Sequence, residues 1–177
     1  ARPWRFFFVL QLCAHGGIGG GQLVQAAAEG AVVHHGAADN QRQPPARGNL
    51  AAMLGVAPET LVFHLKRLRY VDEHIYAVTD DYIPLALCPE LMHVDFTSSG
   101  LLRTLEAHGI RPYAEDKTIE VIHAAPEIAL YLKVEEQAPI FVTRILTTDR
   151  TGRVIQYATA KADAFRSRFR VRSTAKE

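Results

Sequence analysis

Apolar and polar positions alternate along several segments of this 177-residue chain, and other segments show helical spacing. Alternation predicts strands, because neighbouring side chains of a strand point to opposite faces. The predicted strands are AVVHH, LVFHLKRLRY, IYAVTDDYI, KTIEVIHA, IFVTRILTTD and VIQYATAKA. The predicted helices are GQLVQAAAEG, LAAMLGV, the stretch from Ser99 to His108, and PEIALYLKV. DNQRQPPARGN is polar and rich in residues that break helices and strands, so it is predicted to be a loop.

The two halves of the chain repeat one pattern at a constant distance. Val56 and Val134 are 78 positions apart, and so are Phe63 and Phe141. Each copy consists of a short helix, a link, a strand, a turn and a second strand. Two copies are too few for a solenoid. The repeat therefore favours an α+β domain, in which a single antiparallel β-sheet carries helices on one face.

The strand FHLKRLRY carries two arginines, Arg67 and Arg69, on the same face as Phe63 and Leu65. The second copy has no arginine at the matching positions, so the fold is expected to tolerate replacement of either one. In one interpretation the arginines lie on a solvated rim and pair weakly with aspartates. The nearby aspartates are Asp72, Asp80 and Asp81. In the other, they form an anion site, because two guanidinium groups match a phosphate or carboxylate.

A glycine-rich stretch, HGGIGGG, lies directly before the first predicted helix. The N-terminus of a helix offers free N–H groups to an anion, and glycines allow a close approach to the backbone. The spacing is not that of a dinucleotide fingerprint, and the lysine of a phosphate-binding loop is missing. A flexible linker is the alternative interpretation.

Composition excludes several classes of protein. The formal net charge of +1 provides no overall field for nucleic-acid or membrane binding. Cys13 and Cys88 provide neither a disulfide framework nor a metal-binding spacing, which favours a reducing, cytoplasmic setting without metal or cofactor. The histidines are scattered, and His64 is expected on the surface. No catalytic set is apparent, so no catalytic residue is assigned.

The N-terminal segment RPWRFFFVLQLCA resembles the core of a signal peptide. Its apolar run, from Phe6 to Leu12, is too short to cross a membrane as a helix. A buried or dimer-forming strand over Phe6 to Leu10 is the favoured interpretation.

An ordered set of motifs resembles the UTRA domain, the effector-binding half of a large branch of GntR-family bacterial transcription regulators. The motifs are LGV, PETLVFHLKRLRYVDE, YIP, HGIRPYAEDKTIEVIHAAPEIALYLKV, TGRVIQYA and FRSRFRV. The resemblance divides the chain into an N-terminal arm (1–29), a UTRA-like domain (30–172) and a tail (173–177). It implies a chorismate lyase-like fold, an antiparallel sheet with helices packed on it, and a homodimer.

The resemblance also implies a ligand-binding site. In the family, the arginines that match Arg67 and Arg69 bind an anionic effector such as a sugar phosphate, and an organic acid is a further possibility for this chain. Backbone donors near Gly20 and Gly21 are expected to contact the same anion.

Two positions that are often acidic in the family are Thr79 and Gln156 here. Both are neutral hydrogen-bonding residues, so the identity of the effector stays open. Family members carry an N-terminal winged helix-turn-helix that this chain does not show, and DNA contact is expected only through such a domain. Two alternatives to an effector-binding domain remain: a chorismate lyase-like enzyme, and a dimerisation module with a degenerate pocket.

Overall fold

The computed structural model describes residues 10–13, 33–71, 74–167 and 169–172. The strands are β1 (Leu10–Cys13), β2 (Val33–Arg42), β3 (Val62–Val71), β4 (His74–Pro84), β5 (Ala114–His123), β6 (Pro139–Thr148), β7 (Val154–Asp163) and β8 (Phe169–Arg172). The helices are α1 (Asn49–Leu54), α2 (Leu101–Ala107) and α3 (Pro126–Leu132), with 3₁₀ turns at Leu85–Leu87, Pro89–His93 and Ala164–Arg166. The predictions of a strand over Phe6 to Leu10, of the glycine-rich loop and of the first helix lie wholly or almost wholly outside the described residues.

Six strands form one antiparallel sheet in the order β2-β3-β4-β7-β6-β5, and β1 pairs in parallel with β8. The helices are only six or seven residues long. In the described part of the chain, none of them is long and apolar enough to cross a membrane. The predicted α+β class is confirmed.

The repeat inferred from the sequence extends to the backbone geometry. Gly55 caps the C-terminal end of helix α1 and Lys133 caps that of α3, and both residues are left-handed, with φ of 63° and 53°. In the links that follow, Glu59 and Gln137 each have a φ of 63°. Both pairs are 78 positions apart, like the apolar residues that indicated the repeat. The two helix–strand–strand units therefore share one backbone design.

The sheet has two faces, which we name the arginine face (Phe63, Leu65, Arg67 and Arg69 of β3) and the histidine face (His64, Lys66 and Leu68). The repeat helices cover the histidine face, where Ile128 of α3 packs in one cluster with Leu68. The expectation that all helices lie on one face is wrong, because α2 and two 3₁₀ turns cover part of the arginine face. This cover comes from residues 85–110, which lie between the two repeat units and bury the aromatic and aliphatic start of β3. Its members in the main core cluster include Cys88, Leu91, Phe96, Leu101 and Leu105.

Strand β2 is longer than predicted, because it includes Asp39 to Arg42, which the sequence assigned to a loop. Among the described strands, β2 lies at the edge of the sheet and pairs with β3. Its pairing is irregular, with register shifts between His35 and Ala38 and between Ala38 and Asn40. Pairing with β3 supplies the backbone hydrogen bonds of this polar segment. Polar side chains are compatible with a strand at the edge of a sheet.

Candidate functional site

Arg67 and Asp81 form a buried ion pair on the arginine face. Arg67 donates from Nη2 to Oδ2 of Asp81 at 2.9 Å, and each residue is only 4% exposed. Charges this far from water are tolerated when they are paired and hydrogen-bonded. The interpretation of Arg67 as part of a solvated rim is therefore wrong.

The ion pair continues into a chain of buried side chains. Gln156 donates from Nε2 to the other carboxylate oxygen of Asp81, at 2.7 Å. Thr147 in turn donates from Oγ1 to Oε1 of Gln156, at 3.4 Å, and both residues are buried. Both carboxylate oxygens of Asp81 accept hydrogen bonds, so its orientation is fixed. The Arg67 guanidinium is thereby positioned by side chains from three strands, β4, β7 and β6.

The ion pair with Asp81 does not use the Nε–H donor of Arg67. Its Nε is buried and has no hydrogen-bond partner among the described residues. An unsatisfied buried donor typically costs about 1–3 kcal/mol. A group that accepts a hydrogen bond from Nε would remove this penalty, which makes the arginine face a place where an acceptor is favoured.

Arg69 adds a second positive charge beside the first. Burial and the positive charge of Arg67 lower the pKa of Arg69, while Asp81 and Tyr76 act in the opposite direction. Burial raises the pKa of Tyr76, and the two arginines counteract it. A register shift in the β3–β4 pairing places Tyr76 between the Arg69–Ala77 and Tyr70–Ile75 pairs, and Tyr76 packs against the cluster of Ala77 and Ala162. Two guanidinium groups in a desolvated setting favour a nearby anion.

Small residues continue across the sheet from the arginines. Arg67, Thr79, Ala160 and Thr143 form one row of paired positions across β3, β4, β7 and β6. Strands lie about 4.8 Å apart, so this row spans about 14 Å. The small residues of the arginine face, which we name the small-residue floor, are Ala77, Thr79, Thr143, Ala158, Ala160 and Ala162.

The four predicted site residues that the structure describes all lie on the arginine face. Thr79 is directly opposite Arg67, and its hydroxyl donates to the Arg67 carbonyl at 3.5 Å. Gln156 is bound to Asp81 instead of extending over the floor. The sites of Gly20 and Gly21 lie outside the described residues.

Sequence reasoning missed Asp81 as a site residue and considered it only as a partner at a rim. The alternation in YAVTDDYIP placed Asp81 on the same face as Thr79, and the short β3–β4 turn placed it opposite Leu65. Together, these two signals were sufficient to predict that the carboxylate of Asp81 lies next to Arg67.

A second charged cluster lies on the histidine face. Asp80 accepts hydrogen bonds from His64 at 3.0 Å and from Lys161 at 2.9 Å. Burial alone would raise the pKa of Asp80, but the bond from His64 and the charge of Lys161 lower it to about 2. His64 also stacks on Tyr82, with ring centroids 4.4 Å apart. The prediction of His64 as a surface residue is wrong, because these partners keep it half-buried.

Comparison with known proteins finds a matching family model and related transcriptional regulators. A family model described as "UTRA domain" matches residues 35–166. The HTH-type transcriptional regulator RB1450 of Rhizobium meliloti (strain 1021), named as uncharacterized, is 26% identical over 130 residues, which is 73% of this chain and 53% of the relative. The HTH-type transcriptional regulator GgaR of Escherichia coli (strain K12) is 24% identical over 119 residues, 67% of this chain and 47% of GgaR. The chain thus spans about half the length of these curated relatives.

Solved structures share the fold. PhnF from Mycobacterium smegmatis superimposes with a TM-score of 0.82 at 21% identity, covering 99% of this chain and 74% of PhnF. The effector domain of PhnF gives a TM-score of 0.77 at 20% identity, with 84% and 91% covered. The C-terminal domain of Yurk from Bacillus subtilis subsp. subtilis str. 168 gives 0.73 at 21% identity, with 79% and 95% covered.

Proposed function

Since this chain belongs to the UTRA family, whose model matches residues 35–166, we propose that it is the effector-binding domain of a GntR-family transcription regulator. The chorismate lyase-like fold predicted from the sequence agrees with the structural neighbours. Both curated relatives are named as HTH-type transcriptional regulators. In this proposal the domain performs no chemistry, and DNA is contacted through a winged helix-turn-helix domain of the regulator.

The ligand proposed for this domain is a small anion, a sugar phosphate or an organic acid, bound beside Arg67 and Arg69. The observation that carries this proposal is the buried Arg67, which Asp81 holds in place while its Nε keeps no partner among the described residues. Among the described residues, Arg67 and Arg69 both lie beside the carboxylate of Asp81, and a bound anion would add further negative charge to this group. Charge-assisted hydrogen bonds from guanidinium groups to phosphate or carboxylate are short and strong.

The remainder of the ligand would lie over the small-residue floor. Ala160 and Thr79 project little volume, so the part of the ligand proposed to lie there is a compact group such as a ring. The hydroxyl groups of Thr79 and Thr143 are the neutral polar groups of that row. A ligand with its charge at one end and a compact, weakly polar body suits this distribution.

The test is calorimetric titration of the chain with a panel of sugar phosphates and organic acids. Arg69→Ala is the informative variant, because Arg67 also neutralises Asp81. Loss of one charge-assisted bond of about 1.5–3 kcal/mol should weaken binding by about 10- to 100-fold. Arg144→Ala is the matched control, since Arg144 is a strand arginine on the histidine face that pairs with Glu120. A ligand bound equally well by wild type and Arg69→Ala would contradict the proposal.

An enzyme on the same fold is the second candidate, and the observation in its favour is the carboxylate of Asp81 beside Arg67. Both oxygens of that carboxylate already accept hydrogen bonds, from Arg67 and Gln156, which opposes a role in moving protons. Release of pyruvate from chorismate, abolished by Asp81→Asn, would establish the enzyme. A dimerisation module would show neither turnover nor ligand binding.

Regulation requires that ligand binding in one subunit changes its arrangement with a partner subunit. We therefore propose that the chain forms a homodimer. Strand β5 is an edge of the described sheet, and it exposes Val121 and Ile122. Unpaired edges and exposed apolar residues are surfaces that a second copy can cover. The ligand would favour one of two dimer arrangements, and a coupling free energy of about 1–3 kcal/mol is enough for control.

A further inference from the structure

Three potential metal ligands from two separate segments converge next to α2. They are the thiol of Cys88, the carboxylate of Glu90 and the ring of His108, and one ligand atom of each lies within 4.8 Å of the others. The cluster is distinct from the arginines, because it lies in the 3₁₀ turns and helix that cover the arginine face. Nothing in the proposed anion site uses these three side chains.

Local structure explains why the three groups meet. Cys88 lies between two 3₁₀ turns and belongs to the main core cluster, where it is 1% exposed. Glu90 follows in the second 3₁₀ turn, and His108 caps the C-terminal end of α2. Packing of Leu105 and Leu91 in the same core cluster holds the helix against the turn. One ligand is therefore fixed by the core, and the other two are exposed at its border.

A hydrogen bond to the backbone orients the ring of His108. Its Nδ1 lies 2.8 Å from the carbonyl oxygen of Thr104. A carbonyl oxygen only accepts, so Nδ1 carries a proton, and Nε2 is the ring nitrogen that remains to bind a metal. Metal-binding histidines commonly donate their second N–H to a backbone carbonyl in this way, which fixes the ring.

The distances fit zinc after a small adjustment. Zinc is bound at about 2.0–2.3 Å by thiolate, imidazole and carboxylate, so ligand atoms of a tetrahedral site lie about 3.3–3.8 Å apart. Glu90 and His108 are exposed, and their side chains have the freedom to close the remaining ångström. The thiol of Cys88 and the carboxylate of Glu90 are two positions apart in the chain, and their ligand atoms lie within 4.8 Å of each other.

We propose that Cys88, Glu90 and His108 bind a zinc ion, with water at the fourth position. The metal would link the second 3₁₀ turn to the end of α2. Both segments pack on Phe63 and Leu65 of β3, the residues that precede Arg67 on the same face. This site departs from the sequence expectation of no metal, because Cys88 and His108 are brought together only by folding.

The test uses the untagged chain and Zn²⁺ alone, titrated against a chromophoric chelator, with Co²⁺ as a spectroscopic substitute. The expected result is one zinc ion per chain and a thiolate-to-cobalt charge-transfer band. His108→Ala should weaken zinc binding by more than about 100-fold, since even removal of a group that supports a ligand costs 10- to 100-fold. Zinc should also raise the Tm of the wild type but not of this variant.

Two controls separate this site from adventitious binding. His93→Ala removes an exposed histidine of the same 3₁₀ turn, and Cys13→Ser removes the other cysteine; both variants should bind zinc as the wild type does. His108→Ala carries the test because its side chain is exposed, whereas replacement of the buried Cys88 could disturb the core. Absence of zinc binding at about a hundredfold molar excess, full affinity in His108→Ala, or equal loss in His93→Ala would each overturn the proposal.

Discussion

Arg67 and Asp81 are joined by a hydrogen-bonded ion pair of 2.9 Å in which each residue is only 4% exposed. A buried pair of this kind contributes little net stability, but removal of one partner leaves an uncompensated charge. The pair places a positively charged donor on the arginine face and keeps it in one orientation. An apolar pair of similar volume would replace this ion pair at little cost to stability. Its role in the proposed binding site therefore accounts for the presence of the ion pair.

A double-mutant cycle on Arg67 and Asp81 tests this relationship. Asp81→Ala or Arg67→Ala should each lower the free energy of unfolding by about 3–5 kcal/mol, because the remaining charge stays buried. The double variant should lose less than the sum of the two, and urea unfolding measures all three values. The expectation that the fold tolerates either arginine replacement is thus kept for Arg69 only.

The exposed pair between Arg47 and Glu59, at 2.9 Å, is the matched control for this cycle. Removal of either partner should change stability by less than about 1 kcal/mol. Equal costs at the buried and exposed pairs would show that burial of the first pair has no energetic consequence.

Asp80 should make stability dependent on pH at the acid end. Its pKa is about 2 in the folded chain against 3.8 normally, so the unfolded chain binds the proton more readily. The resulting stabilisation is present above about pH 4 and is lost as the pH falls toward 2. Between pH 5 and pH 2, the free energy of unfolding should therefore decrease by about 2 kcal/mol. In Asp80→Asn this loss should be absent, and unfolding in urea at pH 5 and pH 2 measures the difference.

Part of the acid dependence should persist in that variant, because hydrogen bonds within its turn also lower the pKa of Asp149 to about 2. If wild type and Asp80→Asn lose the same stability between pH 5 and pH 2, the partners on the histidine face do not depress the pKa of Asp80.

The two helix ends, Gly55 and Lys133, provide a reciprocal test of backbone strain. Among the described residues, no atom other than those of Gly55 and its chain neighbours lies within 4 Å of the position that a β-carbon would take there, so Gly55→Ala meets only the cost of a left-handed conformation. That cost is about 1–2 kcal/mol. Lys133→Gly should relieve the same strain in the second copy, and the gain, reduced by the greater freedom of the unfolded chain, should be about 0.5 kcal/mol.

Thermal unfolding of both variants measures these changes. A stable Gly55→Ala protein together with a destabilised Lys133→Gly protein would show that the matching φ values do not carry matching strain.

The chain should behave as a dimer in solution at micromolar concentration. Light scattering should therefore give twice the chain mass of 19.6 kDa. Val121→Glu should shift the equilibrium toward the monomer, because it places a charge on an exposed apolar position of the β5 edge. Thr118→Glu, on the same exposed strand, is the control for added charge. A wild-type mass of one chain would contradict the dimer, and an unchanged Val121→Glu dimer would exclude this edge as its interface.

The sequence by itself determined the repeated unit and the strands within it. The alternation in FHLKRLRY and YAVTDDYI, and the helix signals at Gly55 and Pro126, depend on local geometry, which a sequence encodes directly. The placement of Arg67, Arg69 and Thr79 on one face followed from the same alternation.

Only the tertiary structure decided what those side chains contact. Asp80 and Asp81 are neighbours in the chain, yet they lie on opposite faces and bind partners 81 and 75 positions away, Lys161 and Gln156. Both partners come from β7, and the register between β4 and β7 arises from the packing of the two repeat units rather than from any short segment. The burial that turns a surface arginine into a fixed donor is therefore a property of the assembled sheet.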